Sequence, residues 1–193
     1  MRKIQNAELG RKSVVQYRES EKLPVIIVLD NIRSLSNVGS VFRTADAFLT
    51  QGIYLCGITA QPPHREIQKT ALGATESVPW KYFKNTLEAV HELKAGNYII
   101  IGIEQAEGLV SLKDLVIDHR GKYAVVFGHE VNGVGQEVLD ECDLAVEIPQ
   151  FGTKHSFNIA VCAGIVMWEL GNKLGPPAPP ARAGQALKGG LNP

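Results

Sequence analysis

Three short stretches of the chain carry residue types that do chemistry. The first is Asn37-x-Gly39-x-x-x-Arg43-x-Ala45. On a helix, positions 39 and 43 lie one turn apart and share a face. Asn37 is a natural N-cap, and Gly39 lets another backbone or a ligand come close. A guanidinium on a half-buried face needs an anion. Arg43 therefore either grips an outside anion or sits in a structural ion pair with Asp46 or Glu130. The second stretch is Gly128-His129-Glu130-Val131-Asn132-Gly133-Val134-Gly135. Its glycines imply positive φ or a close backbone approach. It lacks the GxGxxG spacing of a dinucleotide site and the Lys-Ser/Thr of a P-loop. Glu130 suits an arginine or a ligand amine, and His129 suits a loop or interface place better than a catalytic base. The third stretch is Ile148-Pro149-Gln150-Phe151-Gly152-Thr153-Lys154-His155-Ser156-Phe157-Asn158. Ser156 and Asn158 open an otherwise apolar helix, where N-capping alone accounts for Ser156. Lys154 and His155 face either phosphate or water.

These stretches need elements to hold them. Leu23–Leu29 is a continuous β-branched run, which predicts a strand buried on both faces and broken at Asp30-Asn31. A helix follows from Asn37, with Val41, Ala45 and Phe48 on one side and Gly52 as its stop. Further strands are predicted at 53–58, 77–83, 98–103, 122–127 and 144–148. Further helices are predicted at 13–21, 66–72, 86–93, 136–140 and 156–170. Strands alternating with helices, most of the strands unbroken apolar runs, define an α/β fold with a parallel sheet covered on both faces. Ligands in such sheets sit beyond the carboxyl ends of the strands. Asp30-Asn31, Glu104-Gln105, Gly128-His129-Glu130 and Pro149–Gly152 all fall there.

Three regions are expected: an extension over 1–22, a catalytic domain over 23–170, and an unfolded Pro/Gly/Ala-rich tail over 171–193. Net charge is zero, but it is unevenly spread. Residues 1–22 and 171–193 each carry a net +3, and the body between them a net −6. A nucleic acid, if one binds, would therefore meet local patches rather than a uniformly basic surface. Cys56, Cys142 and Cys162, spaced by 86 and 20 residues, fit no zinc or disulfide pattern and read as small hydrophobes in a reducing compartment. The apolar run Ile159–Trp168 is too short to span a membrane. The polar N-terminus has no signal-peptide pattern, so the cytoplasm is expected.

Taken together and in order, the three stretches resemble the motifs of the SpoU (TrmH) family of RNA ribose 2′-O-methyltransferases, within the SPOUT superfamily. The family pattern Asn-x-Gly-x-x-x-Arg corresponds to Asn37, Gly39 and Arg43. Its Gly-x-Glu-x-x-Gly corresponds to Gly128, Glu130 and Gly133. Its Ile-Pro-x-x-Gly and Ser-Leu-Asn correspond to Ile148, Pro149, Gly152, Ser156, Phe157 and Asn158. Phe157 replaces the usual leucine, Ile159 a valine and Ala160 a serine, and His129 stands where Ser or Asn is commoner. The resemblance covers about residues 22–170.

The resemblance implies a Rossmann-like parallel sheet with a C-terminal deep trefoil knot, S-adenosylmethionine as cofactor, RNA (tRNA or rRNA) as substrate, and a homodimer whose interface completes the site. It implies no metal and no membrane. Arg43 becomes the key catalytic residue, with Asn37, Glu130, Ser156 and Asn158 around it. Cofactor contacts are expected near Ile103, Gly128, Ile148 and Phe157. RNA contacts are expected at Arg33, Arg65, Lys69 and Lys154. A free guanidinium keeps its proton, so Arg43 acts as base only where desolvated beside phosphate, or else orients the hydroxyl and binds phosphate. Two other readings stay open: an RNA-binding protein of this fold without activity, and a nucleotide-dependent oxidoreductase. The intact polar set argues against the first and the missing GxGxxG against the second.

Overall fold

The computed structural model describes residues 1–175. Strand β1 (Leu23–Asp30) organises it. Val25, Ile27 and Leu29 join one apolar cluster, and Ile26 and Val28 join another. The split follows from the two-residue period of a strand. Strand β6 (Lys122–Phe127) behaves alike, with Tyr123, Val125 and Phe127 to one side and Ala124 and Val126 to the other. An unbroken apolar run is what a strand covered on both faces requires.

Strands β2 (Thr50–Cys56), β3 (Trp80–Phe83), β4 (Tyr98–Ile103), β5 (Val110–Ser111) and β7 (Leu144–Glu147) complete a seven-stranded sheet. Its order is β3-β2-β1-β6-β4-β7-β5, and every pairing is parallel, as the α/β expectation required. Helices α1 (Val14–Glu19), α2 (Leu35–Ala47), α3 (Arg65–Ala71), α4 (Ala74–Ser77) and α7 (Ile159–Leu174) contribute to the first cluster. Helices α5 (Thr86–Ala95) and α6 (Gln136–Leu139) contribute to the second. The register sets Leu29 beside Phe127, Phe127 beside Ile103, and Ile103 beside Val146. The carboxyl ends of β1, β6, β4 and β7 therefore share one edge, and the loops after them gather there.

Several boundaries differ from the sequence expectation. Helix α2 starts at Leu35, because Ser34 is its N-cap and accepts from the Asn37 N–H. Gly52 does not stop this helix. The helix ends at Ala47, Leu49 turns the chain with φ 53°, and Gly52 lies inside β2. β3 is shorter than expected, because Ala74–Ser77 forms a helical turn pinned by the Ser77 hydroxyl on the Asp46 carboxylate. The two-residue β5 is too short to leave a pattern in the sequence. Helix α7 begins at Ile159, capped by Asn158 and not Ser156. It runs past the expected end at Leu170 to Leu174. There Lys173 pairs with Glu169 and donates to the carbonyls of Leu112, Lys113 and Leu115. The rest of the expected tail, 176–193, lies outside the described residues.

The N-terminal stretch is tied to the body. Ser13 and Gln16 form a reciprocal cap at the start of α1. Tyr17 is buried in the first cluster, with its hydroxyl 3.4 Å from the Thr50 carbonyl. The Arg18 guanidinium donates to the Glu76 carbonyl at 2.7 Å.

Candidate active site

The loop after β6 folds back on itself. The His129 N–H donates to the Gly133 carbonyl at 3.0 Å, and the Gly133 N–H returns to the His129 carbonyl at 2.8 Å. A Cβ on Gly128 would overlap the Gly133 and Val134 backbone, and Gly133 holds φ 68°. Here the glycines answer to backbone meeting backbone. His129 shapes the turn, its Nδ1 accepting from the N–H groups of Val131 and Asn132 at 3.1 and 3.3 Å.

Two carboxylates fasten this loop. Glu104, at the end of β4, accepts from the Val134 N–H at 2.8 Å and from the Gln105 N–H at 2.9 Å. Glu130 accepts from the backbone N–H groups of Arg33 and Ser34, both at 3.1 Å, at the entry to α2. Partial burial works against the charge of Glu130. Backbone N–H groups, its own and those of Arg33 and Ser34, outweigh that and hold its carboxyl below the ordinary glutamate range. The expected arginine or ligand amine on Glu130 is thus replaced by backbone donors.

A second link joins the first and third stretches. Asn158 caps α7 through its Oδ1, and its Nδ2 donates to Asn37 Oδ1 at 3.2 Å. The loop before α7 is braced by Gln105 and Gln150, whose Nε2 atoms both reach the His155 carbonyl at 3.4 Å. Between these loops lies a cavity of about 560 Å³. Its wall includes Asn37, Glu130, Ser156 and Asn158 together with Ile103, Gly128, Ile148 and Phe157. Of the expected site residues, those eight come together. Glu104 and Gln105, expected at this edge but given no role there, also line it, as do Asn132 and Cys162, which sequence reasoning assigned to no site. Glu104 carried a signal, as the first polar residue after an unbroken apolar strand. Burial pushes the Cys162 thiol up to about 12, so it stays protonated at neutral pH.

Arg43 is elsewhere. It is exposed on α2 and lines a different cleft, against the N-terminal segment. Neither expected structural partner engages it, since Asp46 takes the Ser77 hydroxyl and Glu130 takes backbone. Its face is not half-buried as expected. Gly39, one turn earlier, is the buried position, where a Cβ would overlap Thr70 Oγ1 and the Ile67 carbonyl of α3. Arg33, Arg65, Lys69 and Lys154 are exposed, and none lines the cavity.

Among the described residues there is no cluster of His, Cys, Asp or Glu able to hold a metal ion, and no helix is long and apolar enough to cross a membrane. The outer face of α7 is apolar, with Val161 and Trp168 exposed and Trp168 edge-on to Phe48 of α2 at 6.3 Å.

An all-parallel α/β sheet with a loop-built cavity at its carboxyl edge is the arrangement of a Rossmann-like ligand-binding domain. The chain belongs to the SpoU rRNA Methylase family, whose sequence model matches residues 24–168. A relative from Staphylococcus haemolyticus, assigned to the TrmH family of tRNA/rRNA methyltransferases, is 30% identical over 156 residues. That match covers 81% of this chain and 61% of the relative. A Staphylococcus aureus relative of the same assignment is 31% identical, over 82% of this chain and 62% of its own length. The chain thus spans less than two thirds of these relatives. Among solved structures, an AdoMet-bound rRNA methyltransferase from Sinorhizobium meliloti aligns with TM-score 0.73 and 27% identity, over 85% of this chain and 62% of that one. The A. aeolicus TrmH/SpoU tRNA modifying enzyme aligns with TM-score 0.73 and 21% identity, over 83% and 80% of the two chains, which speaks to the fold. A structure described for 2′-OH methylation of C/U34 on tRNA aligns with TM-score 0.68 and 25% identity, over 78% of this chain and 95% of that one.

Proposed function

We infer that this chain transfers a methyl group from S-adenosylmethionine to a ribose 2′-hydroxyl of tRNA or rRNA, as a homodimer in the cytoplasm. One observation carries the reading. Residues from each of the three motifs of a methyltransferase family line a single cavity, at the edge where α/β sheets bind ligands. The fit to the cofactor rests on the cavity itself. Its volume lies in the range of small-molecule sites. Apolar Ile103, Ile148 and Phe157 suit an adenine, and polar Asn37, Ser156 and Asn158 stand nearby for ribose and amino-acid groups. When bound, the cofactor supplies an electrophilic sulfonium methyl group. The loops after β6 and β7 are the segments that a deep trefoil knot would thread. Free cysteines suit a reducing cytoplasm.

Among the described residues of one protomer, no arginine lines the cavity. We assign Arg43 to the cavity of a second copy, reached when the apolar outer faces of α7, carrying Val161 and Trp168, meet across a two-fold axis. There its guanidinium grips the phosphate beside the target ribose and orients the 2′-hydroxyl. Asn37 and Asn158 hold each other and the mouth of the site, and Glu130 keeps the glycine loop against the entry to α2. Arg33, Arg65, Lys69 and Lys154 would touch phosphates, which position RNA without reading its sequence.

The test begins with calorimetric titration of S-adenosylmethionine into the purified chain. Radiolabelled methyl transfer to bulk cellular RNA follows, with nucleoside analysis of the digest. Saturable cofactor binding and label in 2′-O-methylnucleosides are expected. Absence of cofactor binding, or label on bases alone, would overturn the reading.

A further inference from the structure

The cleft that holds Arg43 is as large as the cofactor-type cavity, about 560 Å³. One wall is the N-terminal segment from Leu9 to Tyr17, and the other is α2 with the α3–α4 corner. That first wall is anchored at its C-terminal end, where Tyr17 is buried and Arg18 is bonded to the Glu76 carbonyl. Three cations line the cleft: Arg11, Lys12 and Arg43. Their side chains form no hydrogen bond or ion pair among the described residues. Lys22, close by, differs, because its ammonium caps the carbonyls at the end of α1. Two acids also line the cleft. Asp46 is occupied by the Ser77 hydroxyl, and Glu76 is exposed. Exposed aliphatic side chains complete the surface: Leu9, Val14 and Leu72.

Partnerless cations beside exposed aliphatic surface suit one kind of ligand well. A single RNA strand offers phosphates for the cations and sugar and base faces for the aliphatic ledge. A duplex would offer mainly its charged outside, leaving Leu9, Val14 and Leu72 without a counterpart. We propose that this cleft binds the single-stranded RNA backbone flanking the methylated nucleotide, with Arg11 and Lys12 holding phosphates next to the one assigned to Arg43. What the RNA does there rests on the methyltransferase reading, but the binding itself does not. The consequence is that the N-terminal segment is part of the substrate grip.

The experiment measures binding of a short fluorescent oligouridylate by anisotropy across a salt series, with Arg11→Ala/Lys12→Ala against the unaltered chain. Loss of two single-strand phosphate contacts should flatten the log–log salt slope by about 1.4, at about 0.7 per contact, and weaken binding roughly 10- to 30-fold at 0.1 M salt. Leu72→Ala removes apolar surface without charge, so it should weaken binding several-fold and leave the slope unchanged. Lys113→Ala/Arg120→Ala, which removes cations that already have acidic partners, should change neither quantity. Circular-dichroism melting and calorimetric cofactor affinity should match the unaltered chain in all three. No oligouridylate binding by the unaltered chain, an unchanged slope in Arg11→Ala/Lys12→Ala, or equal losses in the two double variants would each overturn the proposal. If the cleft variant binds RNA normally while methyl transfer persists, the cleft assignment alone fails. If the chain binds no cofactor yet the cleft variant loses RNA, the transferase reading alone fails.

Discussion

The cations of this chain fall into two populations, although the net charge is zero. On β3, α5, the β5–β6 connection and the end of α7 they are matched within the molecule. Lys81 pairs with Glu92, Lys94 with Glu141, Lys113 with Asp114, Arg120 with Asp118, and Lys173 with Glu169. Lys122 lies over the Tyr98 ring. On the N-terminal segment Arg2 pairs with Glu8, but there and on α2, α3 and the loop before α7 the side chains of Arg11, Lys12, Arg33, Arg43, Arg65, Lys69 and Lys154 form no ion pair or hydrogen bond among the described residues. A cation neutralised by its own protein offers little field to an outside anion, whereas one without a partner offers its full charge. The comparison shows that a neutral chain can keep some of its cations free for an outside anion, and that pairing, more than composition, marks which ones.

The sharpest way to break this contrast is Arg43→Ala. Methyl transfer should fall about 10²–10⁴-fold while calorimetric cofactor affinity stays unchanged. Near-normal turnover would put Arg43 among the ordinary surface charges. Gly39→Ala tests whether that cation needs its helix placed. The added methyl overlaps Thr70 and the Ile67 carbonyl, so α2 must shift on α3 at about 1–3 kcal/mol, read as a lower denaturant midpoint. Glu130→Gln should cost about 1 kcal/mol, because a weaker acceptor faces the N–H groups of Arg33 and Ser34. The sign with pH follows from the depressed carboxyl. Its stabilisation is full above the ordinary glutamate value of 4.5 and is lost as pH falls through the lower folded value. A stability–pH curve for Glu130→Gln should therefore lack part of the acid-side loss. Smallest of all, Lys81→Ala should change stability by less than about 1 kcal/mol and leave RNA affinity unchanged, which thermal melts and anisotropy would show. A marked loss of RNA affinity there would erase the distinction between the two populations.

Much of this architecture is legible in the amino-acid sequence. Strands β4 and β6 keep the limits expected of them, because a strand covered on both faces has few polar residues to blur its extent. Helix starts were harder. Asn37 and Asn158 both have the chemistry of caps, yet only Asn158 is one, since Ser34 reached the first position ahead of Asn37. Ends were harder still. Nothing local predicts that Lys173 will anchor a last helical turn on carbonyls from residues 112–115. The cavity wall was readable from motifs that repeat a family's spacing. The placing of Arg43 outside that cavity was not, because one turn of a helix decides which cleft a side chain meets, and its expected partners were engaged by groups distant in sequence.

The hydrogen bond between Asn37 and Asn158 joins residues 121 positions apart. Closing so long a loop costs entropy, which is offset only when both ends are held by their own elements. The cavity mouth is therefore a latch as well as a binding surface. While α7 is still undocked, the first motif has nothing to close against. Ligand competence should then rise with the docking of α7 on α2, the step that brings Asn158 to Asn37.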